Sequence, residues 1–248
     1  MRHFDAFRHV LPLDEPSIHW LDTAGDRHEV RASSDALRAP LEQAVPCRRG
    51  AKFQGQSSYF GHYLFAQTGQ WLWFESKAEE NALRLLDHIA SLSALSTQSF
   101  CLVHPDGLRH VPDFFGLSTD GERIVYDVRP EELRNDAVEQ FRRTAEICSR
   151  IGWTYQVMTG EDKSVPAQNV KLLANFRAPD FRPSLEVHEV VRGALSRNPF
   201  MTWETFFDAF GHQVSYPDMY ALMWQRKVGY TFGAPIGPHT RVWWVKGA

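Results

Sequence analysis

Asp113 and Asp127 are the residues of this chain best placed to do chemistry. Each lies in a short apolar run: Val111, Phe114 and Phe115 surround the first, while Ile124-Val125-Tyr126 and Val128 flank the second. An aspartate inside a hydrophobic strand is costly to bury unless something pairs with it. For two acids delivered to one place, a metal ion is the natural partner. Arg129 stands two residues beyond Asp127, about 6.6 Å along an extended chain and on the same face. An acid and a guanidinium are therefore expected to point together at whatever Asp113 faces. Between the runs, Ser118-Thr119-Asp120-Gly121 supplies the residues of a hairpin turn, where glycine tolerates positive φ. Pro130 ends the second run because proline cannot donate to a sheet ladder. The plain alternative is a hairpin in which Asp127 and Arg129 pair and Asp113 caps a turn.

The element that would complete an acidic cluster lies upstream. Phe74-Glu75-Ser76-Lys77-Ala78-Glu79 opens a helix running to about Ser91, with Ala78, Ala82, Leu85, Leu86 and Ile89 recurring at helical spacing. Ser76 followed by Glu79 has the form of a capping box, in which serine and glutamate satisfy orphan backbone N–H groups. That is a purely structural role for Glu79. Its functional role would be to project from the first turn toward the two aspartates, and on local pattern Glu75 and Glu80 compete for it.

The order of motifs resembles TnsA-like proteins, the endonuclease subunits of heteromeric cut-and-paste transposases. It is carried by Tyr59, Gly61, Thr68-Gly69, Phe74-Glu75-Ser76-x-x-Glu79, Leu85-Leu86-Asp87, Gln98-x-Phe100, His110-x-Pro112-Asp113-Phe114-Phe115 and Asp127-Val128-Arg129-Pro130. The likeness spans about residues 48–160 and continues weakly to the C-terminus. It implies an α/β fold with a restriction-endonuclease-like PD-(D/E)xK core, and it selects Glu79, Asp113, Asp127 and Arg129 as the catalytic set. The chain departs from the pattern twice: Arg129 replaces the usual lysine, and Ala78 replaces the usual leucine before the helix glutamate.

Phosphodiester hydrolysis needs a nucleophilic water, neutralised charge on the phosphate and a stabilised leaving oxygen, all of which carboxylate-bound Mg2+ supplies. Magnesium keeps several waters and takes few protein ligands. Asp113 and Asp127 are the expected direct ligands, the Val128 carbonyl a third, and Glu79 a ligand directly or through water; Mn2+ is the expected substitute ion. Arg129 stays protonated and cannot act as a base, but it can hold a phosphate bidentately. By the same resemblance the partners would be the DNA of transposon ends, a DDE transposase (TnsB-like) and an AAA+ ATPase regulator (TnsC-like). The place of action would be the bacterial cytoplasm, on the nucleoid when in complex. The alternatives are a catalytically silent DNA-binding or assembly subunit, and a restriction- or repair-type nuclease of the same fold.

The 248 residues, 43% hydrophobic and 23% charged, describe an ordinary globular protein with room for one large core plus a small second domain. No stretch approaches the ~20 apolar residues of a membrane span. Three dispersed cysteines (Cys47, Cys101, Cys148) argue against a zinc site. A net charge of −3 and a pI near 6.4 are not those of an autonomous DNA binder, since non-specific affinity comes from clustered cations. The basic stretch Arg48-Arg49-Gly50-Ala51-Lys52 offers Arg49 and Lys52 as candidate phosphate contacts, with His110 a third.

Four regions follow. Residues 1–50, with four prolines and no sustained periodicity, read as an irregular N-terminal arm. Residues 51–160 read as the endonuclease domain: a hairpin around Thr68-Gly69, the Glu79 helix, strands near 98–104, 110–117 and 122–129, a helix from Asn135 to Ile151 ended by Gly152, and a last strand from Trp153 to Met158. Residues 161–182 read as a linker with a short helix around Asn169–Asn175. Residues 183–248 read as a small winged-helix-like docking domain, with helices near Leu185–Leu195, Trp203–Phe210 (N-capped by Thr202) and Met219–Lys227, then a hairpin of Tyr230–Phe232 with Arg241–Val245. No Gly-rich phosphate loop or Rossmann fingerprint appears.

Overall fold

The structure, a computed structural model, describes residue 7 and residues 14–48, 59–133 and 135–246. The fold is mixed α/β and divides into two compact units. The first comprises residues 1–83 and 90–160; the second comprises residues 84–89 and 161–248.

In the first unit, β1 (Ser17–Leu21) and β2 (Arg27–Arg31) form a hairpin, and β3 (Gly61–Phe65) and β4 (Gln70–Phe74) form a second, turning at Gly69 with φ +70°. Helix α1 (Lys77–Ile89) follows, then β5 (Leu92–Thr97), β6 (Phe100–Val103), β7 (Arg109–His110), β8 (Phe114–Ser118) and β9 (Arg123–Val128). Helix α2 (Val138–Ile151) and β10 (Thr154–Met158) complete the unit. Two four-stranded sheets result, in the orders β2-β1-β6-β7 and β10-β9-β8-β5. The β8–β9 hairpin is antiparallel, with Phe114 opposite Tyr126 and Phe115 opposite Val125, whereas β10 joins β9 in parallel after the α2 crossover.

The two sheets pack through aromatic side chains. Phe100 from one sheet meets Phe115 from the other edge-on at 5.8 Å, and Trp153 lies 5.9 Å and 5.3 Å from them. Ile18, Val125 and the α2 residues Ile147, Cys148 and Ile151 close the same core. Gly152 ends α2 in the left-handed region at φ +87°, its N–H returning to the Cys148 and Ser149 carbonyls.

The second unit has α3 (Val165–Leu173), α4 (Leu185–Arg197), β11 (Met201–Thr202), α5 (Trp203–Phe210), α6 (Tyr216–Trp224), β12 (Val228–Tyr230) and β13 (Arg241–Trp244). The strands make one sheet in the order β11-β13-β12. Side-chain caps start the helices: Ser184 receives the Val187 N–H, Thr202 that of Thr205, and Ser215 pairs reciprocally with Asp218.

Several expectations are corrected. Residues 14–48 are not an irregular arm: β1 pairs with β6 from Ser17 opposite Val103 to Trp20 opposite Phe100. Residues 161–182 are not a linker, because Val170, Leu173 and Ala174 are buried in the second unit's core beside Val191, Phe206 and Leu222. The strand expected near 98–104 is β6, whereas β5 before it was not anticipated; Gln98, at φ +48°, turns the chain from β5 in one sheet into β6 in the other. The apolar stripe expected on α1 also differs. Leu83 is fully buried and Ile89 is 53% exposed, and residues 84–89 of the helix belong with the second unit. No helix among the described residues is long and apolar enough to cross a membrane.

Candidate functional site

The β8–β9 hairpin brings the two aspartates together. Its register, continued one residue past Phe114–Tyr126, sets Asp113 opposite Asp127. Side chains directly opposite on an antiparallel pair share a face, and by period two that face also carries Phe115 and Val125. Asp113 accepts the Val128 N–H at 2.7 Å, and its own carbonyl accepts the Gln98 N–H at 2.9 Å. Both sides of Asp113 are thus tied to neighbouring backbone.

Glu79 lies in the first turn of α1 and is almost fully buried. One oxygen accepts the Glu75 N–H at 2.8 Å and the other the Ser76 hydroxyl at 2.9 Å, while Ser76 Oγ accepts the Glu79 N–H at 3.1 Å. The capping role is therefore present. This turn is also docked on the chain leaving β10: Asn81 donates to the Gly160 carbonyl at 3.0 Å. A Cβ on Gly160, at φ +61°, would stand 2.3 Å from the Ala78 carbonyl oxygen. Only glycine permits that approach.

Two of the acids act on the third. Burial holds the Asp113 carboxyl well above the usual carboxylate range, and the charges of Glu79 and Asp127 push it further; the Val128 N–H and Arg48 oppose them. Burial likewise raises Glu79, against the Glu75 N–H, the Ser76 hydroxyl and Arg48. Arg48 also approaches Glu75 at 3.4 Å. Glu80 is engaged elsewhere, by Lys77 and Tyr59, both at 2.6 Å.

Asp127, only 3% exposed, is held by groups not foreseen in this role. His110 Nε2 lies 2.8 Å and 3.0 Å from its two oxygens, and the Tyr155 hydroxyl donates to Oδ2. Gln140 Nε2 in turn donates to His110 Nδ1 at 2.8 Å. Burial, and then the negative charge of Asp127, raises the Tyr155 hydroxyl and pushes the Cys148 thiol up to about 12. His110, expected as a phosphate contact, is thus bonded to Asp127 instead.

Arg129 is also placed differently from expectation. It lies beyond the end of β9, and its Nε donates to the Leu133 carbonyl at 3.3 Å. The charge of Arg48 acts on both Asp113 and Glu79. Arg49 and Lys52 lie outside the described residues.

Among the described residues, no three His, Cys, Asp or Glu side chains are drawn into a set that could hold a metal ion by themselves. The helix cap engages part of Glu79, and His110 and Tyr155 engage part of Asp127, which leaves acceptor lone pairs on both. What the site does possess is buried negative charge with little compensation. Among the described residues neither Asp113 nor Glu79 forms an ion pair, and hydrogen bonds from neutral donors leave further lone pairs on each carboxylate. Two such carboxylates suit a hard cation that retains waters and completes its shell with substrate oxygens. No protein-family model matches the chain, and no curated protein matches it.

Proposed function

We propose that this chain is a Mg2+-dependent DNA endonuclease, acting as the TnsA-like subunit of a heteromeric transposase. In this reading the first unit is a PD-(D/E)xK nuclease core and the C-terminal helices and sheet are a winged-helix-like docking domain. It would hydrolyse the non-transferred strand at transposon ends and free the 5′ ends. A DDE transposase would cut the other strand, and an AAA+ ATPase would activate the pair on the bacterial nucleoid. The observation that carries the proposal is Asp113 next to Asp127 where the β8–β9 register ends, with the charges of Glu79 and Asp127 both acting on the Asp113 carboxyl.

Asp113 and Asp127 would hold the cation, with the Val128 carbonyl and Glu79 as supplementary ligands. Bound Mg2+ lowers the pKa of water and neutralises phosphate charge. The protein's own part is to fix the carboxylates before substrate arrives, through the Val128 N–H, the helix cap and the Asp127 partners. Arg129 and Arg48 would supply positive charge to the phosphate without serving as bases. The net charge of −3 fits a nuclease delivered by partners rather than one that finds DNA alone.

The test is strand-specific cleavage of end-labelled transposon-end DNA by the chain with its transposase and ATPase partners. The expected result is Mg2+-dependent nicking at the 5′ ends, lost in Asp113→Ala and Asp127→Ala. Undiminished nicking in both variants would overturn the reading. A catalytically silent assembly subunit is the second reading, favoured by the hydrogen bonds that occupy Glu79 and Asp127. Robust sequence-specific cutting by the isolated chain would instead point to a restriction- or repair-type enzyme.

A further inference from the structure

We propose that His110 and Tyr155 are positioning residues that clamp Asp127 in its cation-binding orientation, with Gln140 fixing the His110 ring. The inference rests on the nuclease reading above. Four elements converge on this one carboxylate. His110 ends β7, Asp127 lies in β9, Gln140 lies in the first turn of α2, and Tyr155 lies in β10. Tyr155 stands beside Val125 in the parallel β9–β10 ladder, so it shares the face of Val125 and Asp127. Its hydroxyl reaches the carboxylate two positions along.

The hydrogen bonds define a direction. The Gln140 amide nitrogen is a donor only, so with its approach at 2.8 Å the His110 Nδ1 accepts. Nε2 is the ring nitrogen that faces Asp127, 2.8 Å and 3.0 Å from its two oxygens. The ring is held at both ends, with only 10% of its side chain exposed. Tyr155 supplies a second fixed donor from the opposite flank.

Two features distinguish this from an ordinary buried ion pair. Neither side chain that holds Asp127 is a lysine or arginine: His110 of β7 and Tyr155 of β10 grip the carboxylate from two flanks. Asp113 and Glu79 are fixed in the same manner, by the Val128 N–H, the Glu75 N–H and the Ser76 hydroxyl. An arginine in any of these places would hold the acid equally well but would neutralise the charge that attracts a cation. Groups that orient metal ligands typically affect metal affinity about 10–100-fold when removed.

The experiment is titration of the full chain with Mn2+ alone, counting free ion by electron paramagnetic resonance. Wild type should bind Mn2+, and Asp127→Asn should abolish binding. His110→Ala and Tyr155→Phe should each weaken binding by about 10–100-fold. His110→Gln should recover most of the loss, because a glutamine amide can donate from a similar position, and Gln140→Leu should fall between. In cleavage assays His110→Ala, Tyr155→Phe and Gln140→Leu should need more Mg2+ for half-maximal rate yet approach wild-type kcat at saturation, which general loosening of the fold would not produce. If His110→Ala fails to fold, Tyr155→Phe, which removes a single oxygen, decides. Wild-type Mn2+ binding that depends on Asp127 but is equal or tighter in the positioning variants would overturn the clamp and leave the nuclease reading standing. No Mn2+ binding by wild type would overturn both.

Discussion

The Asp113 carboxylate takes the backbone N–H of Val128 at 2.7 Å, reaching across the hairpin beside the residue it opposes, Asp127. One short hydrogen bond thereby locks the register that brings two acids to one face, at the cost of burying like charges side by side.

That cost should be visible as a pH dependence. An aspartate whose folded-state pKa is raised contributes stability that is complete below its ordinary value of 3.8 and is lost as pH rises through the raised value. Glu79 acts in the same direction. Asp113→Asn keeps an acceptor for the Val128 N–H and removes the charge. Urea midpoints should show the variant at least as stable as wild type at pH 7, with the advantage shrinking toward pH 4. Adding Mn2+ at pH 7 should raise the wild-type melting temperature and leave that of Asp113→Asn unmoved.

Glu79 can be separated into cap and catalyst. Glu79→Gln preserves an acceptor for the helix cap and should keep nearly full stability while losing cleavage. Glu79→Ala should lose cleavage and also about 1 kcal/mol of stability. Glu75→Gln and Glu80→Gln should cleave nearly normally; equal loss in Glu75→Gln would show that the wrong acid has been assigned.

The two arginines make opposed predictions. Because Arg48 acts on Asp113 and Glu79 while Arg129 bonds the Leu133 carbonyl, Arg48→Ala should reduce kcat/KM more than Arg129→Ala. The reverse order would mean that Arg129 swings to the phosphate when DNA binds.

The second unit has its own pH-sensitive group. His88 stacks on Trp224 at 5.1 Å and lies 3.2 Å from the Tyr230 hydroxyl; burial first, then Arg226, lowers its pKa from 6.5 to about 4. A depressed folded-state pKa contributes stability that is present above 6.5 and is lost as pH falls toward 4, because the unfolded chain takes up the proton first. The effect is on the order of 3 kcal/mol across that window. His88→Phe should flatten this part of the stability profile, and an unchanged slope would refute the assignment.

Truncation offers a final check. A chain ending near Arg182 would retain α3 while losing Val191, Phe206 and Leu222, which cover Val170 and Leu173. It should aggregate or melt at a lower temperature than the full chain; a well-behaved truncated protein would show that α3 does not depend on those helices.

Local patterns were legible in the sequence wherever the determining contacts are close along the chain. The β8–β9 hairpin, the Gly152 stop of α2, the Thr202 cap and the Ser76–Glu79 cap each depend on residues within a few positions, so residue type and spacing sufficed. Placing Asp113 against Asp127 belongs to this class, because a hairpin register is local. The β1–β2 hairpin is local and was missed all the same; what builds it into the core is the pairing of β1 with β6, which lies far along the chain, and no short window contains both. For the same reason α3 resembled a linker: its buried side chains are covered by helices that come much later. The clamp on Asp127 belongs wholly to the tertiary structure. His110, Gln140 and Tyr155 are unremarkable in their own segments, and only the stacking of β7, α2 and β10 around β9 directs their polar atoms to one carboxylate. The chain's local chemistry specified which acids a hairpin would present; long-range packing decided what holds them, and which arginine acts on them.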